Sequence, residues 1–183
     1  MCIMKKYLHT ILLVLTLILL SNQMLWAKEP ALDEYAVKSA FLYNFAKFVI
    51  WPLESFPADH PSLNICLIGD APFGSSLEAI SSKTIHERQL TVQRIDNIEA
   101  ISSCHVLFIS ESETDRLKPI LESARRHHVL TVSDIERFDL SGGMIHLFTA
   151  NEKIRFSINH EAANLAGLEI SSQLLKLSFT NSK

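Results

Sequence analysis

Between Asp33 and Ile50 apolar side chains return at i, i+4, i+8 and i+11, as Val37, Phe41, Phe45 and Phe48, a spacing that predicts a helix. Asp33 is placed to cap its start. Pro52 ends it, because the residue before a proline is pushed out of the helical region. Leu42 and Val49 lie on a further apolar face, whereas Asn44 and Lys47 share a polar side. That is more apolar surface than one sheet can cover, so the helix is either wholly buried or offers a surplus face to a partner.

The period then changes. Beyond the Pro- and acid-rich loop Leu53–Ser62, an apolar run over Leu63–Ile68 reads as a strand, followed by a Gly-Asp-x-Pro turn and a helix predicted over Phe73–Ser82. Strands are predicted over Leu90–Ile95, Cys104–Ser110 and His128–Asp134, with a helix over Glu113–Arg126. Met144–Phe148 and Lys153–Ile158 flank a short polar turn and predict an antiparallel hairpin at the sheet edge. A helix over His160–Ala166 stops at Gly167, and Ile170, Leu174, Leu175 and Leu177 mark a last packed segment whose type the pattern leaves open. The expected fold class is α/β, a mostly parallel sheet with helices on both faces and a C-terminal antiparallel hairpin.

Length adds that one domain suffices for 183 residues. Residues 1–27 read as an export signal: Lys5 and Lys6 are the basic head, Ile11–Leu20 the apolar centre, and Leu25-Trp26-Ala27 a cleavage site. Residues 28–183 then form the single folded domain. Leu25 is bulky for a cleavage site, and residues 8–27 are long enough to span a bilayer, so an uncut membrane anchor stays open beside cleavage. Either way the body lies outside the cytoplasm.

Removing residues 1–27 takes two of the 17 basic residues and none of the 20 acidic ones, leaving fifteen against twenty and a net charge of −5. Nucleic-acid and anionic-membrane binders are normally basic, so neither partner is expected. Cys2 leaves with the signal, and the remaining pair, Cys66 and Cys104, would form a disulfide in an oxidising compartment or stay as two buried thiols. No His-x-His or Cys-x-x-Cys spacing supports a metal site, and no cofactor is expected. His127-His128 reads as a surface turn, and His105, inside an apolar strand, as a satisfied core or edge residue.

A doubly wound sheet binds ligands beyond the carboxyl ends of its strands, which would gather Gly69-Asp70-Ala71-Pro72-Phe73-Gly74, Ser110-Glu111-Ser112-Glu113 and Ser133-Asp134. Gly69 and Gly74 lack the Lys-Ser/Thr of a phosphate loop and the third glycine of a dinucleotide fingerprint, so they read as turn residues. A phosphoryl-receiver aspartate would need a cytoplasmic donor that an exported domain does not meet. Hydrolysis lacks a Gly-x-Ser-x-Gly elbow, and Ser75-Ser76 have no placed histidine. No catalytic residues are assigned, and the chain is not expected to be an enzyme.

Five stretches in order, "EYAVKSAFLYNFAKFVIWP", "LNICLIGDAPFG", "CHVLFISES", "VLTVSDIERFDLSGGMIHLF" and "KIRFSINHEAANLAGLEISSQLLKLS", resemble the YfiR-like family of exported bacterial proteins over roughly Asp33–Ser178. The resemblance implies a periplasmic repressor that binds the periplasmic domain of an inner-membrane diguanylate cyclase, lowers cyclic-di-GMP and biofilm formation, and is itself sequestered by an outer-membrane lipoprotein. It implies a bridged Cys66 and Cys104, and a hairpin marked by Gly142-Gly143-Met144 and Arg155-Phe156. Ile50 departs from the polar or acidic residue expected before Trp51-Pro52, and a second cysteine pair found in some relatives has no counterpart after Cys104.

On this reading Trp51 turns the chain toward the first strand and buries its indole. Phe41 and Phe45 are core or a homodimer and partner surface, with Asn44 and Lys47 as polar contacts. The alternative is a periplasmic sensor of a small anion or nucleotide, bound near Arg155, Asn159 and Lys47.

Overall fold

The computed structural model describes residues 30–56 and 62–179, so the predicted export signal lies outside the described residues, as does part of the loop before the first long strand. Its elements in chain order are helix α1 (Pro30–Phe48), strands β1 (Val49–Ile50), β2 (Leu63–Ile68), β3 (Thr84–Ile85), β4 (Arg88–Ile95) and β5 (Val106–Ile109), helix α2 (Leu117–Arg126), strands β6 (Leu130–Ser133), β7 (Ile145–Ala150) and β8 (Lys153–Ile158), helix α3 (His160–Leu165), strand β9 (Glu169–Ile170) and helix α4 (Ser172–Leu177).

Seven strands form one sheet in the order β3-β4-β2-β5-β6-β7-β8. Pairing is parallel from β4 through β7, and the two outer pairs, β3 with β4 and β7 with β8, are antiparallel. Central strands bury both faces, which is why β5 is a continuous apolar run and β2 is apolar but for Asn64. Alternation divides them between two cores. Leu63, Ile65, Leu67, Val106 and Phe108 face the side covered by α1 and the C-terminal segment. Cys66, Ile68, Leu107 and Ile109 face the side covered by α2. Helices on both faces and the C-terminal hairpin are therefore as the sequence predicts.

Four local expectations need correction. Helix α1 begins at Pro30, so Asp33 lies inside it rather than capping it; a proline at the first helical position loses no hydrogen bond and has the right φ. The helix ends at Phe48 instead of Ile50, because Val49 and Ile50 pair antiparallel with Ile170 and Glu169. The helix predicted over Phe73–Ser82 is absent: Gly74–Ser76 makes one 3-10 turn and the chain continues in turns to β3. Serines at 75, 76, 81 and 82 compete for backbone hydrogen bonds there, as with Ser81 Oγ donating to the Glu78 carbonyl at 3.0 Å. The helix predicted to start at Glu113 is 3-10 over Glu111–Arg116 and becomes α-helical only from Leu117. The last packed segment resolves into β9 and α4.

Candidate functional site

The crevice expected beyond the strand ends is bolted shut at its centre, between β2 and β5. The Asp70 amide donates to Ser112 Oγ at 2.9 Å, and Ser110 Oγ donates back to the Asp70 carbonyl at 2.7 Å. Gly69 takes φ +82°, and a side chain there would collide with Ser112 and Glu113. The Arg94 guanidinium donates to the carbonyls of Gly69 and Ala71, and Arg116 pairs with Glu113 at 2.6 Å. The cations beside this loop already meet protein acceptors, and a small pocket of about 300 Å³ between Asp70, Arg94, Asp96 and Arg116 is what stays open of the crevice.

Farther along the same rim, Lys38 is buried on α1 with its Nζ 2.6 Å from both Asp134, just past β6, and Glu34 one turn back. Burial alone lowers the pKa of this ammonium, but the hydrogen bonds to Asp134 and Glu34 outweigh it, and the pKa is raised above the ordinary lysine value. Nζ also lies 4.4 Å from the centre of the Tyr35 ring, and burial is the main reason the Tyr35 hydroxyl titrates higher than usual. The Ser133–Asp134 end of the expected crevice is thus a clasp holding α1.

Asp139 collects Ser157, His146 and Asn159. Ser157 Oγ donates to Asp139 Oδ2 at 2.6 Å, His146 Nδ1 lies 3.7 Å from Oδ1, and Asn159 Nδ2 donates to the Asp139 carbonyl at 2.8 Å. The residue types are those of a hydrolytic triad, yet the serine is bonded to the carboxylate instead of the imidazole. An imidazole must stand between the two to take the serine proton, so the arrangement fastens the 135–142 loop to the hairpin.

His105 is a buried, satisfied histidine, in line with its place in an apolar strand. Its Nδ1 accepts from the Asn64 amide at 3.1 Å, which puts the ring proton on Nε2, and Nε2 donates to the Ser55 carbonyl at 2.9 Å. Phe56 stacks on the ring at 4.5 Å, and the Trp51 indole N–H donates to the His105 carbonyl at 3.2 Å. Trp51 therefore turns the chain and buries its indole against the sheet. Desolvation lowers the His105 pKa, the bond to Ser55 opposes this, and nearby Arg88 adds to the lowering.

The remaining proposed contact residues divide sharply. Phe45 is fully buried and Phe41 half-buried, both against Phe156 at 5.1 and 5.5 Å between ring centres. Asn44 and Lys47 are exposed; Asn44 Nδ2 donates to the Ala40 carbonyl one turn back, and the Lys47 ammonium lies 5.7 Å from the Phe48 ring centre. Arg155 is exposed on β8 opposite Phe148. Asn159 caps α3, its Oδ1 accepting from the Ala162 amide at 2.9 Å. It lines a groove of about 590 Å³ between α2 and α3 that neither Lys47 nor Arg155 borders. Sequence patterning missed this groove, because its walls are half-exposed faces of two helices far apart in the chain.

Cys66 and Cys104 are joined in a disulfide between β2 and the start of β5, with Cα atoms 5.8 Å apart. A family profile described as YfiR/HmsC-like matches residues 35–178. The chain belongs to the YfiR/HmsC-like family. Among curated proteins, none matches the sequence. Family members are known as periplasmic regulators of diguanylate cyclase signalling rather than as enzymes, and a buried disulfide suits that compartment. The Gly142-Gly143-Met144 stretch has a structural cause: Gly142 takes φ +96°, and a Cβ on Gly143 would collide with three Phe138 ring carbons, all within 2.5 Å. Among the described residues no helix is long and apolar enough to cross a membrane.

Proposed function

We propose that this protein is a non-catalytic periplasmic regulator that binds the periplasmic domain of an inner-membrane diguanylate cyclase and holds its output down, lowering cyclic-di-GMP and biofilm formation. The family match over residues 35–178 carries the reading. The acidic balance, the disulfide and the engagement of Asp139 with Ser157 fit it. Export by the N-terminal segment, a homodimer, and sequestration by an outer-membrane lipoprotein belong to the same proposal. Asn44 and Lys47, with the exposed edge of Phe41, are its polar and aromatic contacts on α1, whereas buried Phe45 and Trp51 shape that surface from beneath.

The test is genetic and biochemical together. Deleting the gene raises cyclic-di-GMP and biofilm, and the purified protein pulls down the periplasmic domain of a cyclase encoded nearby. Unchanged cyclic-di-GMP in the deletion strain sinks the proposal. The sensor alternative has less support, since Lys47 and Arg155 do not border the groove that Asn159 lines.

A further inference from the structure

The groove between α2 and α3 combines an apolar floor with two unpaired cations. Leu117, Leu121, Met144 and Leu165 supply the apolar surface, and Leu165 is 65% exposed. Lys118 and Arg125 stand on the α2 wall, and Glu161 stands on the α3 wall. Among the described residues neither cation has a hydrogen bond or ion pair, although the protein carries more acid than base. Elsewhere its basic groups near the sheet are engaged, Lys38 by Asp134 and Arg116 by Glu113.

Spacing decides what fits. Lys118 and Arg125 are seven residues apart, so they rise roughly 10 Å along α2, two helical turns, with Leu121 between them and Leu117 beside Lys118. A small anion would meet one cation and leave the other. A second helix laid in the trough would meet both, because its own residues seven apart share that rise, and its apolar stripe would cover the leucines. We propose that this groove takes an amphipathic helix of a partner protein, with carboxylates two turns apart facing Lys118 and Arg125 and a basic residue facing Glu161. A second copy of this chain is the competing occupant: among the described helical residues only Asp115, in the 3-10 turn before α2, and Glu122 stand seven apart, and they belong to the groove's own wall, whereas α1, α3 and α4 carry no such pair. The inference rests on the reading of the protein as a protein-binding regulator, and it adds a second docking surface, with its own chemistry, to the α1 contacts at Asn44 and Lys47.

A synthetic four-turn helical peptide with a leucine stripe, glutamates two turns apart on one flank and a lysine on the other is the probe, titrated by fluorescence anisotropy against the purified protein. The comparison peptide keeps the leucines and exchanges the charges. The first peptide binds at least about tenfold tighter than the second, which corresponds to roughly 1.4 kcal/mol. In Lys118→Glu/Arg125→Glu the preference reverses, and Leu121→Ser weakens both peptides. Circular dichroism confirms that each variant is folded, and Lys118→Glu alone, halving the preference on a surface side chain, serves if the double variant is unstable. Equal binding of the two peptides, no binding of either, or an unchanged preference in the charge-reversed protein overturns the proposal, as does self-association abolished by Leu165→Glu. If deletion leaves cyclic-di-GMP unchanged while the peptide preference holds, the regulator reading fails and the groove stands; if deletion raises it and the preference is missing, the groove alone fails.

Discussion

Lys38 Nζ lies 2.6 Å from Asp134 Oδ2, tying α1 to the loop that follows β6, ninety-six residues away in the chain. Removing one partner of a buried pair strands the other, at roughly 3–5 kcal/mol when both are fully buried. Asp134 and Glu34 keep contact with solvent, so Lys38→Ala falls at the lower end, about 3 kcal/mol in urea unfolding. Lys38→Met, which keeps the packing stem, loses less. A loss under about 1 kcal/mol for Lys38→Ala would show that the clasp does not hold the helix.

Stability falls as the medium acidifies, partly through His105. Its folded pKa lies below the ordinary value of about 6.5, so the unfolded chain binds the proton more readily. The contribution is complete above that ordinary value and is lost as pH drops from there toward the folded pKa. His146, lowered chiefly by burial against opposing Asp139, acts in the same direction. Denaturant midpoints measured from pH 7.5 to pH 5 decline in the parent protein and decline less in His105→Gln; parallel curves would rule out His105 as the source.

The Cys66–Cys104 bridge closes a separation of 38 residues, worth roughly 4 kcal/mol in the chain-entropy picture. Mass mapping of protein isolated without reductant shows the two peptides linked. Cys66→Ala lowers abundance and, through it, repression, so cells resemble the deletion strain; normal protein levels with full derepression would instead give the cysteine a direct part in binding.

Phe45→Ala and Lys47→Glu separate scaffold from surface on one helix. The first empties a fully buried site at about 3–5 kcal/mol. The second replaces an exposed ammonium, stays within about 0.5 kcal/mol of the parent stability, and raises cyclic-di-GMP at normal protein level. Wild-type cyclic-di-GMP in folded Lys47→Glu would move the partner surface away from this part of α1.

Gly143→Ala unfolds at lower temperature than the parent, because its methyl group would stand within 2.5 Å of Phe138 ring carbons. Phe138→Leu in the same chain recovers part of the loss, as a relieved steric conflict requires. Additive losses in the double variant would place the strain elsewhere.

Local patterning determined the elements whose environment repeats along the chain. β5 announces burial on both faces by an unbroken apolar run and β2 by one that only Asn64 interrupts, the hairpin by two strands across a polar turn, and α1 by its phenylalanine spacing. The disulfide was legible as a possibility from two cysteines in a chain whose sequence predicts export. Tertiary structure decided what depends on a distant partner. Val49 and Ile50 are strand, not helix, only because Ile170 and Glu169 supply a ladder; Lys38 is buried only because Asp134 meets it; and the strand-end crevice is bridged at its centre by Ser110 and Ser112 reaching Asp70. The groove of Lys118, Arg125 and Glu161 likewise exists only once α2 and α3 wall the same cavity. A residue's own neighbours set its periodicity, whereas the free energy of a long-range pair appears only after the chain between its partners has been ordered.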